Sequence, residues 1–163
     1  MHYHKDRVED DVLTSRFNEV NIVLTKEIWA SIVGFRPGGL PTHCVLPGAN
    51  RLDIYQSCLR DSPTKRDYNI FRVNEMKKNE RVLAFIIAWI LVPRNGNHAQ
   101  LTTEDVFLLH AFKSNLLIDW SKVVTNTIQK ALKLPYYPLP YGVFLCKVFE
   151  HYNVHFSRET SHG

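Results

Sequence analysis

Eleven consecutive apolar residues, Val82 to Val92, halted by Pro93, constrain the fold of this chain more than any other feature. As helix they would cover only about 16 Å, against a hydrocarbon core of roughly 30 Å, so the run predicts a helix buried in protein rather than a membrane span. Asn79 offers an N-cap and Glu80 suits the positive helix end. Val82, Leu83, Phe85, Ile86, Ile87, Trp89 and Ile90 would point nearly all round, which marks this segment as the expected central hub.

The remaining periodicities are mostly helical. Val20, Ile22 and Leu24 alternate after an Asn18-Glu19 turn, the pattern of a short β-ribbon starting near Leu13. Thr25 caps an expected helix bearing Ile28, Trp29, Ile32 and Val33, which the Gly34 to Gly39 stretch ends. Residues 36 to 50 hold Pro37, Gly38, Gly39, Pro41, Pro47 and Gly48 without the spacing of a phosphate-cradling loop, so they read as a connector. Asn50 caps a short helix with Leu52, Tyr55 and Leu59 inward, and Tyr68 to Val73 has the composition of a strand. Thr102 opens a second strongly apolar helix reaching about Lys113, with Glu104 and Asp105 in its first turn. Asp119 opens a third, striped by Trp120, Val123, Val124, Ile128, Ala131 and Leu132, and Gly142 to Tyr152 follows the stiff Pro135, Pro138 and Pro140 connector as a last helix. The expected architecture is mainly α: a compact bundle of five to six helices with a short N-terminal β-ribbon. Residues 13–155 are expected to form one domain, with flexible termini expected at 1–12 and 156–163.

A chain of 163 residues with 45% apolar and 22% charged residues has ordinary globular composition. The net charge of +4 favours weak contact with anions. Between Arg60 and Arg81 seven basic residues face four acidic ones, so +3 of that excess lies in one connecting stretch. Three cysteines, Cys44, Cys58 and Cys146, are an odd number at wide spacings, which does not read as a secreted disulfide framework. The first residues lack an apolar signal core and no Asn-x-Ser/Thr acceptor occurs, so an intracellular location is expected, nuclear and cytoplasmic being indistinguishable.

Cys146, His151 and His155 are the first candidates for chemistry, since His151 and His155 at i and i+4 would share a face if the last helix continued. A structural zinc site normally takes four ligands including a close cysteine pair, which is missing here, so helix-end histidines are the favoured reading and no metal is expected. The carboxylates Glu80, Glu104, Asp105 and Asp119 all stand at expected helix starts, where capping accounts for them without the convergence a two-cation nuclease needs. No nucleophile elbow or His-Glu-x-x-His pair occurs, and the adjacent His43 and Cys44 read as loop residues. His98 and His110 read as half-buried hydrogen-bonding groups. Neither a catalytic set nor a cofactor is implied. Lys65, Arg66, Arg72, Lys77 and Lys78 are the candidate nucleic-acid contacts, with Tyr68, Phe71, Tyr136, Tyr137 and Tyr141 as rings for base stacking.

Three segments carry a family resemblance: Arg81 to Arg94 (RVLAFIIAWILVPR), Asn97 to Asp105 (NHAQLTTED) and Leu139 to Leu145 (LPYGVFL). Together with the Leu46 to Leu59 region and Ile118-Asp119-Trp120, they resemble the plant transposon protein domain, which recurs in legume and other plant genomes beside retroelement sequences. The similarity covers roughly residues 14 to 155. It implies descent from a mobile element and supplies no reaction, catalytic residue or cofactor. Members of that family extend further on the N-terminal side, so a truncated, non-functional copy is one expectation.

The leading expectation is a non-enzymatic, retrotransposon-derived helical module that associates with protein, or weakly with nucleic acid. The alternative is a metal-dependent nuclease or transposase-type enzyme. The sequence leaves the oligomeric state open.

Overall fold

The computed structural model describes residues 12–41, 50–61 and 69–155. The two terminal segments, Lys65, Arg66, Tyr68 and the His43-Cys44 pair therefore lie outside the described residues. Strands β1 (Leu13–Phe17) and β2 (Val20–Leu24) form an antiparallel ribbon with Leu13 opposite Leu24 and Phe17 opposite Val20. Asn18 and Glu19 turn it with positive φ, the conformation that matches the twist of a two-residue hairpin. Six α-helices follow among the described residues, so the fold class is mainly α with a short N-terminal β-ribbon.

Local capping places most of the helix starts. Thr25 accepts a hydrogen bond from the Ile28 N–H at the start of α1 (Lys26–Val33), and Gly34 ends that helix in the left-handed conformation. Asn50 caps α2 (Arg51–Ser57) through the Leu52 N–H. A single 3-10 turn, Val73–Glu75, precedes α3 (Lys78–Ile86), which runs straight into a π turn, Ile87–Leu91. Helix α4 (Thr103–Lys113) begins with a complete capping box: the Thr102 hydroxyl accepts from the Asp105 N–H, and the Asp105 carboxylate accepts from the Thr102 N–H. Asp119 accepts from the Lys122 N–H at the head of α5 (Trp120–Leu132), and α6 (Gly142–His151) closes the fold.

Two apolar cores share one wall. The first gathers Tyr55, Cys58, Met76, Ala84 and Ile87 around Val106, Phe107, Leu108 and Leu109 of α4. The second joins Ile22 and Leu24 of the ribbon to Trp29, Val148 and Val154. Helix α5 separates them, with Val123 in the first core and Val124 and Ile128 in the second. Inside this apolar wall the Trp29 indole N–H donates to the Thr125 hydroxyl at 3.2 Å, which satisfies both buried polar groups. The Tyr152 hydroxyl donates to the Val23 carbonyl and accepts from the Val23 N–H, pinning the C-terminal end of the fold to the ribbon. Gly39 lets the chain pass against α5's entry: its φ is +112°, and a Cβ there would lie 2.6 Å from the Ile118 carbonyl carbon. The reward is a backbone pair, Leu40 N–H to Leu117 and Asp119 N–H to Leu40.

Several expectations are corrected. The hub is α4 rather than the Val82 to Val92 run, much of which faces solvent. Asn79 does not cap α3. The Lys77 N–H donates to the Cys58 carbonyl and Arg60 N–H to Glu75, an extended pairing that holds the chain out of helix until Lys78. The Tyr68 to Val73 strand reduces, within the described residues, to an isolated bridge of Arg72 with Gln100, after which the chain coils at Val73. On the last helix Val148 is buried, whereas Val143, also apolar, is exposed.

Candidate interaction surface

The sequence 78–91 gives α3 and its π turn apolar residues on every face, yet its main neighbours are α4 and the Val73–Glu75 turn. The face toward α4 carries Ala84, Ile87 and Ala88, all buried, and the two alanines let the helices approach closely. Val82, Phe85, Trp89 and Ile90 fall at i, i+3, i+7 and i+8 on the opposite side, with exposures of 54, 58, 52 and 58%. Phe85 and Trp89 lie beside each other, ring centroids 5.8 Å apart. A contiguous apolar stripe of this kind is unusual on a monomer surface, where single exposed apolar residues are the rule. Other exposed apolar residues, such as Leu117, Leu139 and Val143, belong to separate elements.

A buried ion pair shapes one end of the stripe. Arg94 reaches Asp105 at 2.7 Å and donates to the Gln100 carbonyl at 3.0 Å, clamping the loop after Pro93 onto the first turn of α4. That loop brings His98 flat against Trp89, ring centroids 3.9 Å apart and planes 14° apart. Pro93 cannot continue the helix, and the last turn widens so that the Val92 N–H donates to Ile87 at 2.8 Å. The Leu91 carbonyl at this helix end accepts from the Tyr141 hydroxyl. Burial pushes that hydroxyl well above the usual tyrosine range, because the phenolate would lose its hydration. Lys78, four residues before Val82, and Arg81, four residues before Phe85, extend the same face at its other end.

The residues singled out for chemistry are dispersed. Glu80 pairs with Lys113, Glu104 with Lys130, Asp105 with Arg94, and Asp119 with Lys26, each at its own helix start. Glu104, Asp105, Arg94, Lys130, Thr103 and Tyr137 line a cleft of about 380 Å³. Its carboxylate and basic groups face one another in ion pairs, and Oε1 of Glu104 is buried without a hydrogen-bond partner among the described residues. Helix α6 ends at His151, and Asn153 takes a positive φ, so His155 does not continue the helical face of His151. Cys146, His151 and His155 are all exposed, and among the described residues no group of three His, Cys, Asp or Glu side chains could hold a metal ion. His110 lies 3.5 Å from the Ser114 hydroxyl.

Of the candidate nucleic-acid contacts within the described residues, Arg72 and Lys78 are exposed, while the Lys77 ammonium donates to the Ser57 carbonyl at 3.1 Å. Phe71 is not an open stacking platform: Tyr55 stacks on it at 4.4 Å and the Arg51 guanidinium lies 4.4 Å from its ring centre. Tyr141 is committed to Leu91, whereas Tyr136 is fully exposed. The stripe itself was missed at the level of sequence, because an apolar run carries no mark of which face a neighbour will cover. The cluster Lys78-x-x-Arg81-Val82-x-x-Phe85 was the available signal, since two cations precede the apolar positions on one helical face.

No protein-family model, curated protein or solved structure matches this chain significantly. No helix among the described residues is long and apolar enough to cross a membrane.

Proposed function

We propose that this chain is a non-enzymatic helical module, descended from a mobile element, that works by docking a protein helix on the exposed face of α3 and its π turn. The observation that carries the reading is the stripe of Val82, Phe85, Trp89 and Ile90, each more than half exposed. Its i, i+3, i+7 spacing matches the anchor pattern by which one amphipathic helix packs on another. The paired state of Glu80, Glu104, Asp105 and Asp119 supports a structural role for the acidic residues. The mobile-element origin rests on the wording of segments 81–94, 97–105 and 139–145 alone.

The test uses the double variant Phe85→Asp with Trp89→Asp. A partner that binds the native chain in calorimetry with both proteins pure should lose at least 100-fold in affinity, while the circular dichroism of the variant shows the helical fold retained. Equal binding by native and variant chains would defeat the reading.

A second reading follows from the +3 stretch and the exposed Arg72 and Lys78: weak phosphate contact that also uses Lys65, Arg66 and Lys77. Affinity for duplex or single-stranded nucleic acid should then fall steeply with salt and vanish on charge reversal at Lys65, Arg66, Lys77 and Lys78. Salt-independent or undetectable binding at low ionic strength removes it.

A further inference from the structure

We infer that the helix docked on this stripe is α3 of a second copy of the chain, packed antiparallel about a two-fold axis. The inference rests on the protein-association reading above and names its partner. An isologous interface must be complementary to itself, so whatever one end of the patch presents, the other end must accept. The stripe meets that requirement. Lys78 and Arg81 stand at its start and the Phe85, Trp89 and Ile90 side chains at its end.

Antiparallel pairing that sets Val82 opposite Phe85 of the second copy also sets Lys78 opposite Trp89. His98 covers one face of Trp89, so the ammonium meets the other face of this half-exposed indole, a favourable cation-π contact made twice by symmetry. The same arrangement keeps the two Lys78 ends eleven residues apart along the axis, about 16 Å, or twice the Debye length of roughly 8 Å at physiological salt. Net positive charge near one end of the stripe therefore opposes a parallel pair and leaves the antiparallel pair nearly unaffected. The alanines at positions 84 and 88 are spent on α4, so the large side chains are what the second copy meets.

The area sets the strength. Four half-exposed apolar side chains offer on the order of 400 Å² per copy, and the stems of Lys78 and Arg81 extend that toward the roughly 1,000 Å² total that a specific interface needs. The dimer is thus reversible, with dissociation expected between about 10 and 500 µM.

Sedimentation equilibrium of the full chain from about 1 µM to 1 mM reads this directly. The native chain should pass from 19.0 kDa to twice that mass, and Phe85→Asp with Trp89→Asp should remain at 19.0 kDa with unchanged circular dichroism. Register is read with a short bismaleimide on a Cys44→Ser, Cys146→Ser background that keeps the buried Cys58. Val82→Cys should be captured as a dimer and Lys78→Cys should not. Capture at Lys78→Cys as strong as at Val82→Cys means a parallel pair and overturns the proposed arrangement. A native chain that stays monomeric to 1 mM overturns self-pairing. The docking reading survives that result if a purified partner still discriminates native from Phe85→Asp, Trp89→Asp chain, and falls with it if none does. Dimerisation that the double variant does not weaken removes the stripe as the interface.

Discussion

Helix α4 buries Val106 to Leu109 as an unbroken run, whereas α3 and its π turn, just as apolar, leave Val82, Phe85, Trp89 and Ile90 in solvent. The difference lies in the number of neighbours. Helix α4 packs against α2 and against α3 with its π turn, and Val123 of α5 joins the same core. Among the described residues the main neighbours of α3 are α4 and one 3-10 turn, which together cover little more than the Ala84, Ile87 and Ala88 face. Apolar content drives a surface out of water, but the connectivity of the chain decides whether a partner inside the same molecule is there to receive it. A helix apolar all round and covered on one side leaves an apolar face in water, and the proposed docking uses that face; the π turn that ends it is a distortion of a kind frequent at functional sites.

The sharpest way to break this contrast is truncation in each helix. Leu108→Ala removes a fully buried side chain and should cost about 3 to 5 kcal/mol in chemical denaturation, because the surrounding core collapses only partly. If Leu108→Ala costs under 1 kcal/mol, α4 is not the hub. Asp105→Ala comes next, at about 2 to 4 kcal/mol, since it removes the capping box and strands the Arg94 guanidinium. It should also release the loop that holds His98 on Trp89, so the tryptophan emission near that ring should change with it. An unchanged emission spectrum would separate the clamp from the stripe.

Tyr141 connects the α6 entry to the end of the π turn and supplies a pH-dependent test. Its folded value is raised by burial, so the folded state favours the neutral phenol. That stabilisation is complete below the unfolded value near 10 and is lost progressively as pH rises beyond it. The melting temperature should therefore fall more steeply between about pH 9 and 11 in the native chain than in Tyr141→Phe. Parallel curves would show that the hydroxyl does not bear on alkaline stability. The smallest effect belongs to the stripe: Phe85→Ser or Ile90→Ser should change stability by no more than about 0.5 kcal/mol. A loss comparable with that of Leu108→Ala would mean the stripe is covered by the chain itself and would erase the comparison.

Four helix starts were legible because each is a local event. Thr25, Asn50, Thr102 and Asp119 satisfy N–H groups two or three residues ahead, and nothing distant is needed to read them. Asn79 failed as a cap for the complementary reason. Its position is set by the pairing of Cys58 to Arg60 with Glu75 to Lys77, contacts between residues 15 and 19 positions apart in the chain. The Asn18-Glu19 turn was readable, whereas the bridge between Arg72 and Gln100 was not, since a single pairing leaves no alternation in the sequence. Among the helix-start carboxylates, Asp105 and Asp119 cap their helices, whereas Glu80 and Glu104 stand in the first turn and pair with Lys113 and Lys130; the stacking role given to Phe71 disappeared into a core stack with Tyr55.

By itself the sequence determined the class of the fold, the ribbon and the helical stripes, because periodicity and capping act over three or four residues and are written in the residues concerned. Tertiary structure alone decided which of two apolar helices became the hub and which became a face. Burial is a property of what packs against a side chain, and for Trp89 that is a histidine nine residues on, held by an arginine whose partner lies at the start of the next helix.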